Sequence, residues 1–571
     1  QENIPENVKG LLSLLTGPGN SSEEPPQKSG QQDSPGKARQ DKSELAENLE
    51  MMRKVKNIMD RLNSHNDPRI NLLSALKPFM GSDSYNPEQI NKQGGIIKRY
   101  SSDRNKVLSS IEEAIKATGL KDGMTISFHH HFRNGDMVLV PVIEAIARMG
   151  IKNLTLAPSS LTEPHDVIAP YVKDKVITKI ITSGLRKKLG EMASNGEIEY
   201  PVLFHSHGGR ARRIEEGSTK IDVAFIAAPG CDFMGNINGT DSITPCGSLG
   251  YSHIDAKYAN YVVAITNDIK QTPLTRISIP HYLVDYIVKV DNIGDPKKIG
   301  TAATRITTNP MDLLLARISA DIIAASPYFK DGFSFQTGSG GAALATTKFL
   351  KEHMLKRNIK ARFATGGITS YQVELLKEGL IQTLYDVQSF DLNASLSMRD
   401  NPNHVEMDSS FYANPFNTGP IVNYLDVVIL SALEVDTKFN VNVVTGSNGI
   451  IREASGGHCD TAYGAKLTIV IAPSFRSRIP IIVDDVTTVI TPGEDVDILV
   501  TERGIAVNPK RNDIKDWIKD AGYPVYDIND LKNNIEKITG KPQPIKFTDE
   551  IVALVEYRDG TIIDTIRKIA K

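Results

Sequence analysis

Cysteine is scarce. Cys231, Cys246 and Cys459 are the three in 571 residues, they lie far apart, and no C-x-x-C pair occurs. By themselves they build neither a disulfide framework nor a zinc knuckle. No apolar run approaches the ~18 residues a membrane helix needs. A charge excess is missing too: 66 Lys and Arg stand against 68 Asp and Glu, a net of −2. Nothing therefore indicates a nucleic-acid or membrane partner. The absence of a P-loop and of a G-x-S-x-G elbow argues against a nucleotide hydrolase or a serine hydrolase. The chain opens at Gln1 on an acidic, Pro-containing stretch, so no secretory signal is visible. Without an initiating Met, a missing N-terminus is expected. A reduced, cytoplasmic enzyme is the reading these absences leave.

Residues 1–44 are rich in Gly, Pro, Ser, Gln and charge, a composition that cannot bury enough apolar surface to hold one structure; disorder is expected. Leu45, Leu49, Met52, Val55, Met59 and Leu62 then recur at helical spacing. A second short helix is expected from Asp67-Pro68, with Asp as cap and Pro at the first helical position. Together 45–80 read as a small helical module and 81–102 as a polar linker, and the whole N-terminal segment is expected to be dispensable for catalysis.

From 103 onward the pattern changes. Strand-like runs are expected at 124–131, 151–157, 177–182, 201–205, 221–227 and 261–266. A second series is expected at 321–325, 333–336, 360–364, 383–387, 427–431, 467–471, 481–484 and 497–500. Strands alternating with helical stretches require a parallel sheet covered by helices. The fold class is therefore α/β, in two similar halves, 103–300 and 301–571. The second half is expected to include a helix at 510–521 and a C-terminal hairpin around Arg558-Asp559-Gly560.

The stretch Phe333-Ser-Phe-Gln-Thr-Gly-Ser-Gly-Gly341 reads as a buried strand, a glycine turn and the start of a helix. Backbone N–H groups at such a turn point at a space where an anion or oxyanion can sit. The spacing also fits G-x-G-x-x-A, but a dinucleotide site needs an acidic residue at the end of the next strand. That strand ends instead in Thr365-Gly-Gly-Ile-Thr. Close packing of helix on strand is the plainer use of the glycines.

His129-His130-His131-Phe-Arg133-Asn134 ends the first strand of the main body. In a strand, His129 and His131 share a face and His130 points the other way. A metal would need a third ligand from far away. Lining the crevice beyond the strand ends suits these residues better, with Arg133 able to grip a carboxylate through two parallel hydrogen bonds. Packed histidines and a surface arginine are the plain alternative. A polar, glycine-rich segment, Thr445 to Asp460, could hold backbone donors for an oxyanion or be an ordinary loop. Both halves place a Gly-Gly pair beside a His: His207-Gly-Gly-Arg210 and Gly456-Gly457-His458.

The strings SFHHHFRNGD (127–136), QTGSGG (336–341), FNVNVVTGSN (439–448), ASGGHCD (454–460) and VTERGIAVNP (500–509) resemble the citrate lyase alpha subunit family. The ending TGKPQPIKFTD (539–549) does so too, and the likeness runs from about Lys106 to the C-terminus. The resemblance implies a CoA-transferase-like fold, two related doubly wound halves facing each other across a cleft. It also implies the transferase step of citrate lyase, in which acetyl is exchanged for citrate on a carrier-protein or CoA thioester, through a mixed anhydride in a ternary complex. No cofactor would be bound by this chain, which would act on the dephospho-CoA-type group of a carrier protein or on acetyl-CoA. Beta (lyase) and gamma (carrier) subunits would be its partners in an oligomer.

Substrate-binding candidates are His129, His131, Arg133, Asn134, His207, Arg210 and His458, with no metal. Oxyanion donors would come from Gly338, Gly340, Gly341, Gly456 and Gly457, the last pair being free to take positive φ. Related CoA-transferases carry a glutamate that becomes a thioester, and Glu374 overlays that place, although Val373, Leu376 and Leu380 put it on a helix with an exposed face. The competing readings are a thioester hydrolase, a CoA-transferase for another acid, and a non-catalytic subunit that docks the carrier.

Overall fold

Val223–Ala227 is buried at all five residues, the mark of a strand covered on both faces. It lies near the middle of an eleven-stranded sheet in the computed structural model of the chain. The structure describes residues 77–84, 91–95, 97, 104–299 and 307–570, and Arg53. The stretches expected to be disordered (1–44) or helical (45–62, and from 67) lie outside the described residues, Arg53 apart.

The first sheet takes strands Lys77–Pro78 (β1), Val107–Leu108 (β2), Thr125–Ser127 (β3), Leu154–Leu156 (β4), Ile177–Thr182 (β5), Val202–Phe204 (β6), Val223–Ala227 (β7), Tyr261–Thr266 (β8) and Tyr286–Lys289 (β9). The second takes Phe333–Thr337 (β10), Ala361–Ile368 (β11), Ile381–Ser389 (β12), His404–Glu406 (β13), Val427–Ser431 (β14), Leu467–Ile471 (β15), Ile498–Thr501 (β16), Gly504–Val507 (β17) and Val525–Tyr526 (β18). The hairpin Phe547–Glu556 (β19) and Thr561–Ile569 (β20) closes the chain. Helices that shape the site are His207–Glu215 (α1), Pro310–Ala325 (α2), Gly341–Arg357 (α3), Ser370–Lys377 (α4) and His458–Gly464 (α5).

Strand order shows how alike the halves are. The first sheet runs β1-β20-β19-β6-β5-β4-β3-β7-β8-β9-β2 and the second β13-β12-β11-β10-β14-β15-β16-β17-β18. In each, the chain winds outward from one central strand (β3, β10), then returns to its other side (β7, β14). The winding reverses between β3 and β7, and between β10 and β14, all parallel pairs. Ligands of open α/β sheets bind outside the carboxyl ends of the strands at such reversals.

Three expectations are corrected. Residues 321–325 are not a strand but the last turns of α2, whose cap is Asn309 with Pro310 at the first position. Leu315, Ile318, Ile322 and Ile323 are buried at helical spacing, which outweighs the β-branched look of the local string. The C-terminal hairpin, assigned with the second half, belongs to the first sheet: Ala553 to Val555 pair in parallel with Val202 to Phe204. A free strand edge there needed a partner, and the chain's end supplies it.

The expected linker is also partly docked. β1 pairs with β20, and Phe79 lies 4.9 Å from the Tyr557 ring. The Ser82 amide bonds Glu494 at 2.7 Å and its hydroxyl reaches Glu494 and Asp495 at 2.9 Å. Farther on, the Gln93 amide donates to the Glu215 carbonyl at 2.8 Å. Among the described residues no helix is long and apolar enough to cross a membrane.

Candidate active site

The carboxyl ends of the two sheets meet around a cleft of about 640 Å³. The loop after β3 shows how the first wall is set. Below it, Arg210 grips both oxygens of Asp255 at 2.7 and 2.8 Å, and His129 Nε2 bonds the same carboxylate at 2.9 Å. Burial opposes ionisation, yet Arg210 and His129 hold Asp255 far below the usual carboxylate range. His131 Nε2 bonds the Ala227 carbonyl at 2.9 Å. His129, His131 and Arg210 are therefore buried supports outside the cleft lining. The strand expected over 124–131 ends at Ser127, so the three histidines lie in the loop beyond it; there His129 and His131 turn into the core and His130 faces the cleft.

His130 stacks on Tyr251 at 4.7 Å and on His207 at 5.5 Å, and its Nδ1 meets Ser159 Oγ at 2.6 Å. Burial pushes His130 well below its ordinary pKa and, with Arg210 and Arg186, takes His207 down to about 3. His458 is lowered to about 4 by burial, and its ring bonds Thr491 Oγ1 at 2.7 Å and the Ser431 carbonyl at 3.0 Å. All three imidazoles are neutral at pH 7.

Arg133 sits in the left-handed region at φ 53°, an unusual conformation for a residue with a side chain. Its guanidinium lies 4.4 Å from the Phe390 ring centroid, and its Nε has no hydrogen-bond partner. Among the described residues no carboxylate pairs with it. Burial and Arg186 lower its pKa to about 10, so it keeps its charge at pH 7. Arg186, in contrast, is bonded to Glu453 at 3.0 Å and to the Leu161 carbonyl at 2.8 Å. Asn134, Lys187 and Arg476 also belong to the polar lining.

The second wall follows β10, β12 and β14. Gly338 and Gly340 line the cleft, but the Gly338 amide is taken by the Ile429 carbonyl at 2.8 Å, so it donates to the sheet. Gly341 begins α3 and faces Thr307. Intrahelical bonding in α3 starts with the Leu344 amide on the Gly340 carbonyl, leaving the amides of the first turn outside it. Gly366-Gly367 form a bulge between β11 and β12. A Cβ on Gly366 would lie 2.6 Å from the Gln336 side chain, and one on Gly367 2.1 Å from the Phe390 ring. The glycine pair thus seats two cleft residues, and bridges the halves indirectly: next to Phe390, Gln388 donates to the His130 carbonyl at 2.8 Å.

Gly456 and Gly457 lie across from His207, whose amide donates to the Gly456 carbonyl at 2.8 Å. Positive φ belongs to Gly456 (+54°), whereas Gly457 is at −97° and caps α5. What Gly457 cannot tolerate is bulk: a Cβ would stand 2.6 Å from the Tyr412 hydroxyl. Glu374 lies on the exposed face of α4, outside the cleft lining. The cleft therefore collects Arg133, Asn134, His207, His458, Gly338, Gly340, Gly456 and Gly457, and leaves out His129, His131, Arg210, Gly341 and Glu374.

Sequence reasoning placed His130 in the crevice only as one of the three histidines and missed Arg186, Tyr251, Gln336, Phe390, Tyr412 and Arg476. Gln336, Phe390 and Arg186 close strands expected from sequence or follow them within a few residues, so the strand-end rule applied to every strand would have found them.

The model of the family described as citrate lyase, alpha subunit, matches residues 104–569. The chain belongs to the citrate lyase alpha subunit family. It is 54% identical to the citrate lyase alpha chain of Haemophilus influenzae over 83% of this chain and 94% of that one. With the Escherichia coli K12 alpha chain the identity is 52%, over 81% and 91%. The alpha subunit of citrate lyase from Streptococcus mutans, solved in complex with citrate, superposes with a TM-score of 0.83 at 53% identity, covering 85% of this chain and 95% of that one. A malonate decarboxylase alpha subunit from Acinetobacter baumannii shares the fold, with a TM-score of 0.58 at 15% identity. The family match begins after the docked Lys77–Ser84 segment, while every cleft residue named above falls inside it.

Proposed function

We propose that this citrate lyase alpha subunit is the citrate CoA-transferase of the enzyme, exchanging acetyl for citrate on a thioester. The carrying observation is a half-buried arginine with no acid partner among the described residues, Arg133, in one cleft with the glycine turn Gly456-Gly457 and the Gly338–Gly340 turn that leads into α3. A polyanionic acid supplies the missing carboxylate, and a charge-assisted bidentate pair is the strongest contact available to it. The citrate held by the Streptococcus mutans relative accords with this.

In the reaction a citrate carboxylate oxygen attacks the acetyl thioester carbonyl, whose oxygen becomes an oxyanion. Collapse breaks the C–S bond and releases thiolate, leaving an acetyl–citryl mixed anhydride. The thiolate then attacks the citryl carbonyl, and acetate leaves with the bridging oxygen. The nucleophile is already ionised and no proton is moved in either step. Histidines held neutral by burial suit this, because they can hydrogen-bond substrates without changing charge. Amides of the Gly456-Gly457 turn and of Ser339-Gly340 just ahead of α3 are the donors for the oxyanion, where such groups act mainly on charge developing in the transition state.

Glu374 lies outside the cleft, and the carboxylates that line it, Glu163 and Glu453, are paired with Lys187 and Arg186. This favours direct transfer over a covalent glutamyl thioester. The thioester is that of a dephospho-CoA-type arm on the gamma carrier subunit, with acetyl-CoA as a substitute, and the beta subunit then cleaves the citryl thioester. Exchange of label from acetyl-CoA into acetate, dependent on citrate, is the expected result with the isolated chain. Release of acetate without citrate would identify a hydrolase instead, and no turnover with any acid would identify a docking subunit.

A further inference from the structure

We propose that Gln336 reads the tertiary hydroxyl of citrate and so sets the preference for this hydroxy-acid over the same tricarboxylate without the hydroxyl. The inference rests on the transferase reading of the cleft. Gln336 ends β10, is 7% exposed and lines the cleft. Its amide nitrogen is used, donating to the Tyr412 hydroxyl at 2.8 Å, while its Oε1 is buried with no partner. A buried acceptor left unpaired in a binding cleft calls for a donor from the ligand.

The chemistry of the ligand narrows the choice. At neutral pH the three carboxylates of citrate only accept hydrogen bonds, and its hydroxyl is its one donor. The other buried, unpaired side-chain polar atoms of the lining are Arg133 Nε, Ser160 Oγ and His207 Nδ1. Arginine donates, while a hydroxyl and an imidazole nitrogen can do either, so all three can serve carboxylates. Gln336 Oε1 can only accept. The amide group is held in place from two sides, by Tyr412 and by Gly366, where any Cβ would collide with it. A site built to bond a hydroxyl rejects the analogue lacking it far more strongly than an apolar pocket separates two hydrocarbons.

The test compares citrate with propane-1,2,3-tricarboxylate, citrate without its hydroxyl, as acetyl-CoA-dependent acceptors for the full chain and for Gln336→Leu and the near-isosteric Gln336→Met. The wild type should favour citrate by about 10–100-fold in kcat/KM, the range expected for one buried polar contact. The variants should lose that factor with citrate and keep the wild-type value with the analogue, bringing the ratio close to one. Equal losses with both acids would overturn the proposal, and a raised KM for acetyl-CoA alongside them would assign Oε1 to an amide N–H of the thioester arm. Equal use of both acids by the wild type would also overturn it, without any variant. No transfer by the wild type to either acid would instead bring down the transferase reading itself.

Discussion

The two walls of the cleft come from the same winding and carry different chemistry. The first presents an unpaired arginine, a paired one and stacked neutral imidazoles after β3, β5 and β6. The second presents glycine turns, a glutamine and apolar side chains, Leu430, Ala432 and Leu433, at the ends of β10 and β14, with Arg476 as its one arginine in the lining. Most of the arginine charge sits where a polyanion would be held, and backbone donors sit where a carbonyl would be polarised. A duplicated scaffold thus separates binding from activation by what each strand end carries.

Gly457→Val tests the activating wall and should have the largest effect. The added carbons meet the Tyr412 hydroxyl and displace the cap of α5. Turnover should fall by about 10²–10³ with citrate affinity little changed, since a lost oxyanion donor acts on the transition state. A folded variant with normal turnover would shift the role to the α3 turn.

Arg133→Lys tests the binding wall. Charge remains but the bidentate grip is lost, so citrate kcat/KM should drop about 10–100-fold while KM for the acetyl thioester holds. An equal loss for both substrates would make Arg133 structural and blur the distinction between the walls.

Deleting everything before Arg104 removes β1 and the Phe79 and Ser82 contacts, which lie away from both walls. Transfer should persist, but the melting temperature should fall by about 2–4 °C for each kcal/mol lost, as for a large domain. An unchanged melting temperature would mean that the docked segment adds nothing.

The imidazoles sharpen the comparison through pH. His207 and His458, with pKa values of about 3 and 4, lie below the unfolded value of about 6.5, so the unfolded chain binds more protons between these limits. Their stabilising effect is complete above pH 6.5 and is lost as pH falls toward 4, so wild-type melting should decline over that window and His458→Gln should lessen the decline. Activity should show no imidazole titration between pH 6 and 8. The smallest effect belongs to Glu374→Gln, which should leave transfer unaltered; a collapse of turnover would restore the covalent route.

Much of the fold was legible because buried parallel strands leave long β-branched runs, and because turns need glycine. The two-half α/β plan and most strands followed from those signals, and the strings around His129–Asp136 and Gly456–Asp460 carried the family. Two local patterns misled. Asp321–Ala325 looks like a strand only when read without the helix that precedes it, and the C-terminal hairpin joins the first sheet across more than 300 residues of chain.

By itself the sequence determined which residue types could serve the chemistry: an arginine for a carboxylate, glycines for an oxyanion, histidines beside both. Only tertiary structure decided which of them reach the cleft. His129 and Arg210 were drawn into the core because Asp255, buried in the separate helix Ser252–Tyr258, is held ionised by both. Gln336 and Phe390 were turned into the cleft because Gly366 and Gly367, on a neighbouring strand, leave room for nothing else. Neither outcome is local, since each depends on atoms that sequence separation hides and that only packing brings within contact.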